Sequence, residues 1–423
     1  MTAATRSVRA AFLAAYQAAL RAVDPYLVTR ERLSAAGDRL EVGGEQIDTR
    51  GGVRVLAVGK GAHGMAGAAS AIWGDRVTAG LVIADHQRPS PHPRVTVLVG
   101  DHPYPGQASL AAGRAALQLV SEGQPGELVL VLVSGGGSAL MEVPALGITF
   151  ADLQDVGRVL VTGGVPIAEM NVVRRHLSAV KNGGIARSAG GRRVASLLIS
   201  DVVDGPAHAI ASGPTLPDGT TAADALQVLA DHGLEHRIPP AVKEYLDGRR
   251  SSPESEGRPF EMIADGLGAA EAARRDLEGR SFETRVMAAP LVGDAEETAR
   301  RVVGSSIRGL TDVYWGETTV RIDTPSPGRG GRNQHAALVA AGWLAGRGRG
   351  VFGGFATDGI DGASNAAGGL VDAGTTARGR AGGLDRMEHL RAFDSSPYLE
   401  ACGDLIETGP TGANVGDLWL VTG

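Results

Sequence analysis

The run VLVLVSGGGSALM (residues 129–141) carries an aliphatic segment into Ser134, three glycines and Ser138. Consecutive glycines leave backbone N–H groups unobstructed by Cβ atoms, and such a stretch forms a concavity for an anion. Ser134, Gly135, Gly136, Gly137 and Ser138 are therefore expected to hold phosphate or carboxylate, with a short helix starting behind them. A second stretch, VRVLAVGKGAHG (53–64), reads as a strand followed by Gly59-x-Gly61-x-x-Gly64, and Asp85 closes the next strand. In that context the pattern is the dinucleotide fingerprint, with Asp85 on a ribose hydroxyl. Lys60, between the first two glycines, would instead aim an ammonium at an anion. The 41 basic residues include only three lysines, Lys60, Lys181 and Lys243, and the first two lie in glycine-rich stretches. Lysine kept there suits a need for a compact, mobile charge.

In PIAEMNVVRRHLSAVKNGG (166–184), Asn171, Arg174, Ser178 and Lys181 are spaced by three and four, as one polar stripe of a helix would be. Met170, Val173 and Leu177 form the adjacent apolar stripe, which places the polar set either at the margin of a cleft or on a solvated flank. Asp201, Asp204, Asp358, Asp361 and Asp417 suit Mg²⁺, which takes one or two carboxylates together with phosphate oxygens and water; capping of loops is their competing role. No GxxxxGK followed by Ser or Thr occurs, so a nucleotide would not be held by a Walker loop. No HExxH or Cys/His spacing suggests zinc, and no Ser-His-Asp set stands out.

These groups need elements to position them. Strands are expected at 53–58, 80–84, 95–99, 128–133 and 194–199, most of them continuously apolar as strands covered on both faces are. Helical stretches at 107–123 and 150–164 alternate with them, the second opened by a capping-box pair, Thr149 and Asp152. The alternation argues for a parallel sheet between helices. The polar, turn-rich stretch 247–260 is the expected domain junction, dividing a Rossmann-like domain (1–250) from a smaller α/β domain with a mixed sheet (259–423). In the second domain a helix is expected over 266–278 and another over 333–345. Strands are expected near 283–288, 311–315, 318–323, 350–356 and 417–422. The glycine-rich polar stretches fall repeatedly at strand exits, where the ligands of such sheets bind.

With 423 residues, 43% hydrophobic and 21% charged, the chain has ordinary globular composition. A net charge of −6 offers no basic face to nucleic acid or anionic lipid, and no apolar run reaches a membrane span. Cys402 is the one cysteine, which excludes a disulfide framework and a thiolate metal cluster. The arginine-bearing first 28 residues admit a transit-peptide reading, but Phe12, Tyr16, Ala19 and Val23 recur at helical spacing. An amphipathic helix packed on the domain is expected, in a cytoplasmic protein.

The stretches RRHLSAVKNGGIAR, ISDVVDGPAHAIASGPTLPD, GETTVRID, GGRNQHAAL, ATDGIDGASNAAG and TGPTGANVGDLWLV resemble, in order, the motifs of the glycerate 2-kinase family. That family's C-terminal part is called the MOFRL domain. SGGGSALM and DHPYPGQASLAAG are similar to it as well, and the likeness runs from about residue 15 to 421. The resemblance implies two α/β domains, an active site in the cleft between them, and phosphorylation of the 2-hydroxyl of D-glycerate by ATP with Mg²⁺. It implies catalytic roles for Lys60 and Arg332, and places Asn333, Thr357, Asp358 and Asn414 in substrate or phosphate motifs. Asp201 would accept the hydroxyl proton or, with Asp204, hold the metal. The partners implied are a small hydroxy acid and a nucleotide, and a homodimer is compatible with it.

Several loops depart from the family's usual pattern. Gly61 stands in GKG where GKA is common, Asn182 interrupts KGG, Asp204 shifts the second acid of SDVxGD, and His335 replaces an acid after GGRNQ. These departures keep two other readings open: an NAD(P)-dependent hydroxypyruvate reductase, favoured by the fingerprint and Asp85, and a relative diverged to another hydroxylated acceptor or to ligand binding without turnover.

Overall fold

A computed structural model describes residues 2–34, 37–249 and 258–423. The chain forms two compact units, one of Val28–Ile199 and Gly205–Ile263, the other of Met1–Leu27, Ser200–Asp204 and Ala264–Gly423. They are called below the N-terminal and C-terminal units. Neither is continuous in sequence, unlike the 1–250 and 259–423 division expected from sequence, and residues 250–257 of the expected junction lie outside the described residues. The first helix, Ala3–Ala22, buries the expected face, Phe12, Tyr16 and Ala19 among it, within the C-terminal unit. There Tyr16 stacks on Phe355 at 4.6 Å and its hydroxyl donates to the Ala356 carbonyl at 2.7 Å. A helix with so much aromatic surface belongs where that surface is covered.

The strands, in chain order, are β1 (Arg39–Val42), β2 (Glu45–Asp48), β3 (Val53–Val58), β4 (Val77–Ala84), β5 (Val95–Val99), β6 (Leu128–Val133), β7 (Arg193–Ile199), β8 (Phe260–Ala264), β9 (Glu283–Val286), β10 (Leu310–Gly316), β11 (Val351–Ala356), β12 (Gly368–Asp372), β13 (Leu405–Ile406) and β14 (Asp417–Thr422). β1 and β2 make a small antiparallel hairpin. The sheet of the N-terminal unit has the order β5-β4-β3-β6-β7-β8, and β3 to β7 are mutually parallel. Every residue of β6 is buried, which explains its unbroken aliphatic run. The chain runs outward from β3 through β4 and β5, then returns to β6 on the other side of β3. The crevice beyond the carboxyl ends of β3 and β6 is thus the topological switch point, where open α/β sheets bind ligands.

The C-terminal sheet is mixed, with the order β13-β12-β11-β14-β10-β9. β10 runs parallel to β9, while β14 is antiparallel to both of its neighbours, β10 and β11. Residues 318–323, expected as a strand, form none: Thr319 makes a single bridge to Asp294, and Ile322 is 53% exposed. Only Thr318 and Val320 of the stretch are covered, and the exposed residues beyond them have no strand to pair with. The helix Arg332–Arg347 buries Asn333 through Ala341 and Leu344. No helix among the described residues is long and apolar enough to cross a membrane.

Candidate active site

At the switch point the two strand exits brace each other. The Lys60 N–H donates to the Gly135 carbonyl and the Gly61 N–H to Ser134 Oγ, both at 2.9 Å. Gly59 has φ +120°, and a Cβ there would lie 2.3 Å from Ser134 Oγ. The first glycine of the fingerprint is therefore required by the neighbouring loop itself. Gly136 has φ +84° and opens on Lys60 and His102: a Cβ would sit 3.4 Å from Lys60 Cγ and 3.7 Å from the His102 ring. Among the described residues, the N–H groups of Gly135 and Gly136 make no hydrogen bond. Bare donors next to the stem of a lysine are what an oxyanion needs, so the residues present fit a phosphate. Ser138 Oγ bonds Ser212 Oγ at 2.8 Å, which ties the far side of the loop. Gly136→Ala is expected to cost about 1–2 kcal/mol, since alanine pays for left-handed backbone, and the loss will register as a lower thermal midpoint.

The expected polar stripe does not hold together. Its helix, Ile167–His176, carries Asn171 and Arg174 and then ends. Beyond it the backbone pairs with residues 143–145 instead: Ala145 N–H donates to Leu177 O and Ala179 N–H to Val143 O. Ser178 and Lys181 turn inward, where the Ser178 hydroxyl and the Lys181 ammonium bond the two oxygens of Glu142, the second at 2.5 Å. Lys181 is 1% exposed and Glu142 4%. Burial pushes the Lys181 pKa down, against the pull of Glu142. Arg174 lines a mostly apolar cavity of about 530 Å³ with Tyr104, Phe150, Met170 and Leu177.

In the C-terminal unit, sheet register assembles the polar groups. Asp417, the first residue of β14, lies opposite Gly316 at the end of β10 and Ala356 at the end of β11. The residues that follow those strands, Glu317 and Thr357-Asp358, are thereby brought beside it. The start of the Arg332–Arg347 helix completes the group. Arg332 Nε and Nη2 donate to the two oxygens of Asp417 at 2.6 and 3.0 Å, and Nη1 pairs with Glu317 at 2.6 Å. A guanidinium has five N–H donors; three are engaged, which leaves two for a ligand.

Burial opposes the charge on Arg332, but Asp417 and Glu317 hold its pKa above the ordinary value. Burial lifts the Asp417 carboxyl against the pull of Arg332. Glu317 is likewise lifted by burial, with Asp417, Asp201 and Asp358 adding like charge. Asn333 Nδ2 donates to Asp417 at 3.0 Å, and its oxygen accepts from Trp419 Nε1 at 2.7 Å. Thr357 Oγ1 donates to Gly416 O at 2.6 Å. Asn414 Nδ2 reaches Asp201 at 3.5 Å, at the limit of a hydrogen bond. Asp204, at φ +50°, follows on the same short segment as Asp201.

Asp361 caps the helix from a distant loop, accepting from the N–H groups of Asn333 and Gln334 at 3.1 and 2.8 Å. Burial, reinforced by Asp417, pushes its pKa up to about 6. A carboxyl raised in the folded state contributes stability that is present below its unfolded pKa and lost as pH rises through about 6. Asp361→Asn is accordingly expected to flatten the fall in stability between about pH 4 and 6, measured as the difference from wild type in denaturation midpoint.

No cluster of three or more His, Cys, Asp or Glu side chains that could hold a metal occurs among the described residues. Asp201, Asp358 and Asp417 act together on Glu317 as like charges, the kind of hard oxygen donors that Mg²⁺ takes when a nucleotide supplies the rest. Glu317 and His102 escaped the sequence reading. Each sits just past a strand end inside a quoted stretch, GETTVRID and DHPYPG, and that position was the available signal.

Comparison with known proteins matches the geometry. Residues 11–247 fit the model described as a domain of unknown function (DUF4147), and residues 312–417 fit the MOFRL family. A glycerate 2-kinase from Pyrococcus horikoshii is 34% identical over 418 residues, covering 95% of this chain and 94% of its own. The chain belongs to the glycerate 2-kinase family. The crystal structure of a glycerate kinase from Thermotoga maritima superposes with a TM-score of 0.88 at 30% identity, over 99% of both chains. A family relative from Agrobacterium vitis, 35% identical over 87% of this chain and 86% of its own, carries a provisional name as a hydroxypyruvate reductase. The expected family and the expected α/β fold with a mixed C-terminal sheet are therefore both borne out.

Proposed function

We propose that the protein transfers the γ-phosphoryl group of ATP to the 2-hydroxyl of D-glycerate or a closely related small hydroxy acid. The observation that carries this reading is the glycine cradle at the switch point, with Lys60 on its rim. Relatives named as glycerate kinases supply the acceptor class. Phosphoryl transfer asks a protein mainly for positioning and charge neutralisation. Gly135 and Gly136 receive phosphate oxygens, and Lys60 neutralises charge on the group in transfer. Arg332, held rigid by Asp417 and Glu317, offers its two remaining N–H groups to the acceptor carboxylate, with Asn333, Thr357, Asp358 and Asn414 around it. Asp201 takes the proton of the 2-hydroxyl as its oxygen bonds phosphorus and the bond to the ADP oxygen breaks. Mg²⁺ bound with the nucleotide would neutralise phosphate charge, and Asp204, on the same segment, is the carboxylate to hold it.

The reductase reading rests on Asp85, which does stand at the exit of β4 and bonds His86 Nδ1 at 2.6 Å. Against it, the bare Gly59 is already filled by Ser134. The two readings separate in one experiment. Acceptor-dependent release of ADP from Mg-ATP should be unchanged in Asp85→Asn. Oxidation of NADH by hydroxypyruvate, with cofactor preference altered in Asp85→Asn, would overturn the kinase reading.

A further inference from the structure

The C-terminal unit has a second polar cavity, of about 550 Å³, lined by Gly342, Ala345 and Gly346 of the Arg332–Arg347 helix and by Arg380, Asp385, Arg386 and Tyr398. Its centre of helix contact lies about 18 Å along the axis from Arg332, at 1.5 Å per residue. Tyr398 is fully buried, yet its hydroxyl has no hydrogen-bond partner among the described residues. A buried hydroxyl left unpaired is costly and needs an explanation. Tyr398 lines the cavity together with Arg380, Asp385 and Arg386, and these charges, with Cys402, act on its hydroxyl. Gly379 leaves it room, since a Cβ there would come within 2.1 Å of the oxygen.

Among the described residues no carboxylate lies within ion-pair distance of either arginine, and Asp385 and Glu296 act on Arg386 only at longer range. The Arg386 guanidinium lies against the helix, where a Cβ on Gly342 would come within 2.6 Å of Cζ. It makes only a 3.3 Å bond to Leu338 O and a 3.2 Å contact with Met387 Sδ. Asp385 is the one acid of the lining, and its Oδ1 accepts from the N–H groups of Met387 and Glu388 at 2.7 and 3.1 Å. Two arginines and a tyrosine lining one space offer donors that suit the acceptors of a tetrahedral oxyanion.

We propose that this cavity is a binding site for phosphate or a small phosphomonoester, separate from the phosphoryl-transfer site. The volume exceeds that of phosphate alone and leaves space for an organic body. The helix that forms its wall ends at Arg332 and Asn333, so an occupant touches the element that positions them. The proposal does not depend on the reaction, because its test reads binding.

Calorimetric titration of the full chain with inorganic phosphate, and separately with glycerol 2-phosphate, should find a site that persists in Lys60→Ala. Arg380→Gln and Arg386→Gln should each weaken it about tenfold, the worth of one charge-assisted hydrogen bond. Tyr398→Phe should weaken it less without lowering the thermal midpoint, since it removes only an unpaired hydroxyl. Tighter binding of the monoester than of phosphate would identify an organic phosphate as the occupant, and equal binding the free ion. Two results would overturn the proposal: loss of all binding in Lys60→Ala, or unchanged binding in both arginine variants.

Discussion

Lys60→Ala is expected to lower kcat by about 10²–10³ while leaving the thermal midpoint close to wild type. The main chain at this position is fixed by its own bond, N–H to the Gly135 carbonyl at 2.9 Å, and by the turn through Gly59. Alanine keeps both. What disappears is the ammonium beside the bare face of Gly136, so the loss falls on charge neutralisation during transfer. That contribution is electrostatic and largest in a site closed to water, which is why it belongs in kcat rather than in folding. Lys60→Arg retains the charge but spreads it over a planar fork, and should recover only part of the rate. Steady-state kinetics with a parallel thermal melt decide the point. A change in kcat below about threefold would remove Lys60 from the chemistry.

The largest effect on stability should come from Lys181→Ala. The buried pair with Glu142 gains little over a well-packed apolar pair, but removing one partner leaves an uncompensated charge and costs about 3–5 kcal/mol. The Ser178 hydroxyl and the Val143 N–H then remain to bond Glu142, both at Oε1. The double variant Lys181→Met with Glu142→Leu should restore most of the lost stability, because both charges go together. Urea midpoints of the two single variants and the double complete the cycle. Should Lys181→Ala instead fold with wild-type stability and lose substrate affinity, the lysine belongs to the binding site that the helical spacing first suggested.

How legible each feature was depends on whether it is local. β3 and β6 could be read because strands covered on both faces have no polar positions to interrupt them. The Thr149–Asp152 capping box formed as read, for its partners are three residues apart. The tight turn after β6 was legible because three successive glycines between hydroxyls mark a close approach of backbone. The stripe through Lys181 failed because helical spacing says nothing about where a helix stops; backbone pairing with residues 143–145 stopped it at His176. In the C-terminal unit, Asp417 could be named, but not its neighbours. Their convergence depends on the antiparallel register of β14 between β10 and β11, which joins residues about a hundred and about sixty positions apart. β12 went unread because its two leading glycines mask a strand whose every residue is buried. The membership of the first helix in the C-terminal unit was hidden for a similar reason: periodicity marks the face to be covered, not what covers it.

The most direct test of the account is the identity of the product. Purified protein incubated with Mg-ATP and D-glycerate, followed by phosphorus-31 NMR, should accumulate ADP and 2-phosphoglycerate in equal amounts. The same mixture with Lys60→Ala should show almost none. A product phosphorylated on the 3-hydroxyl, or no transfer from ATP alongside hydroxypyruvate-dependent oxidation of NADH, would contradict the account.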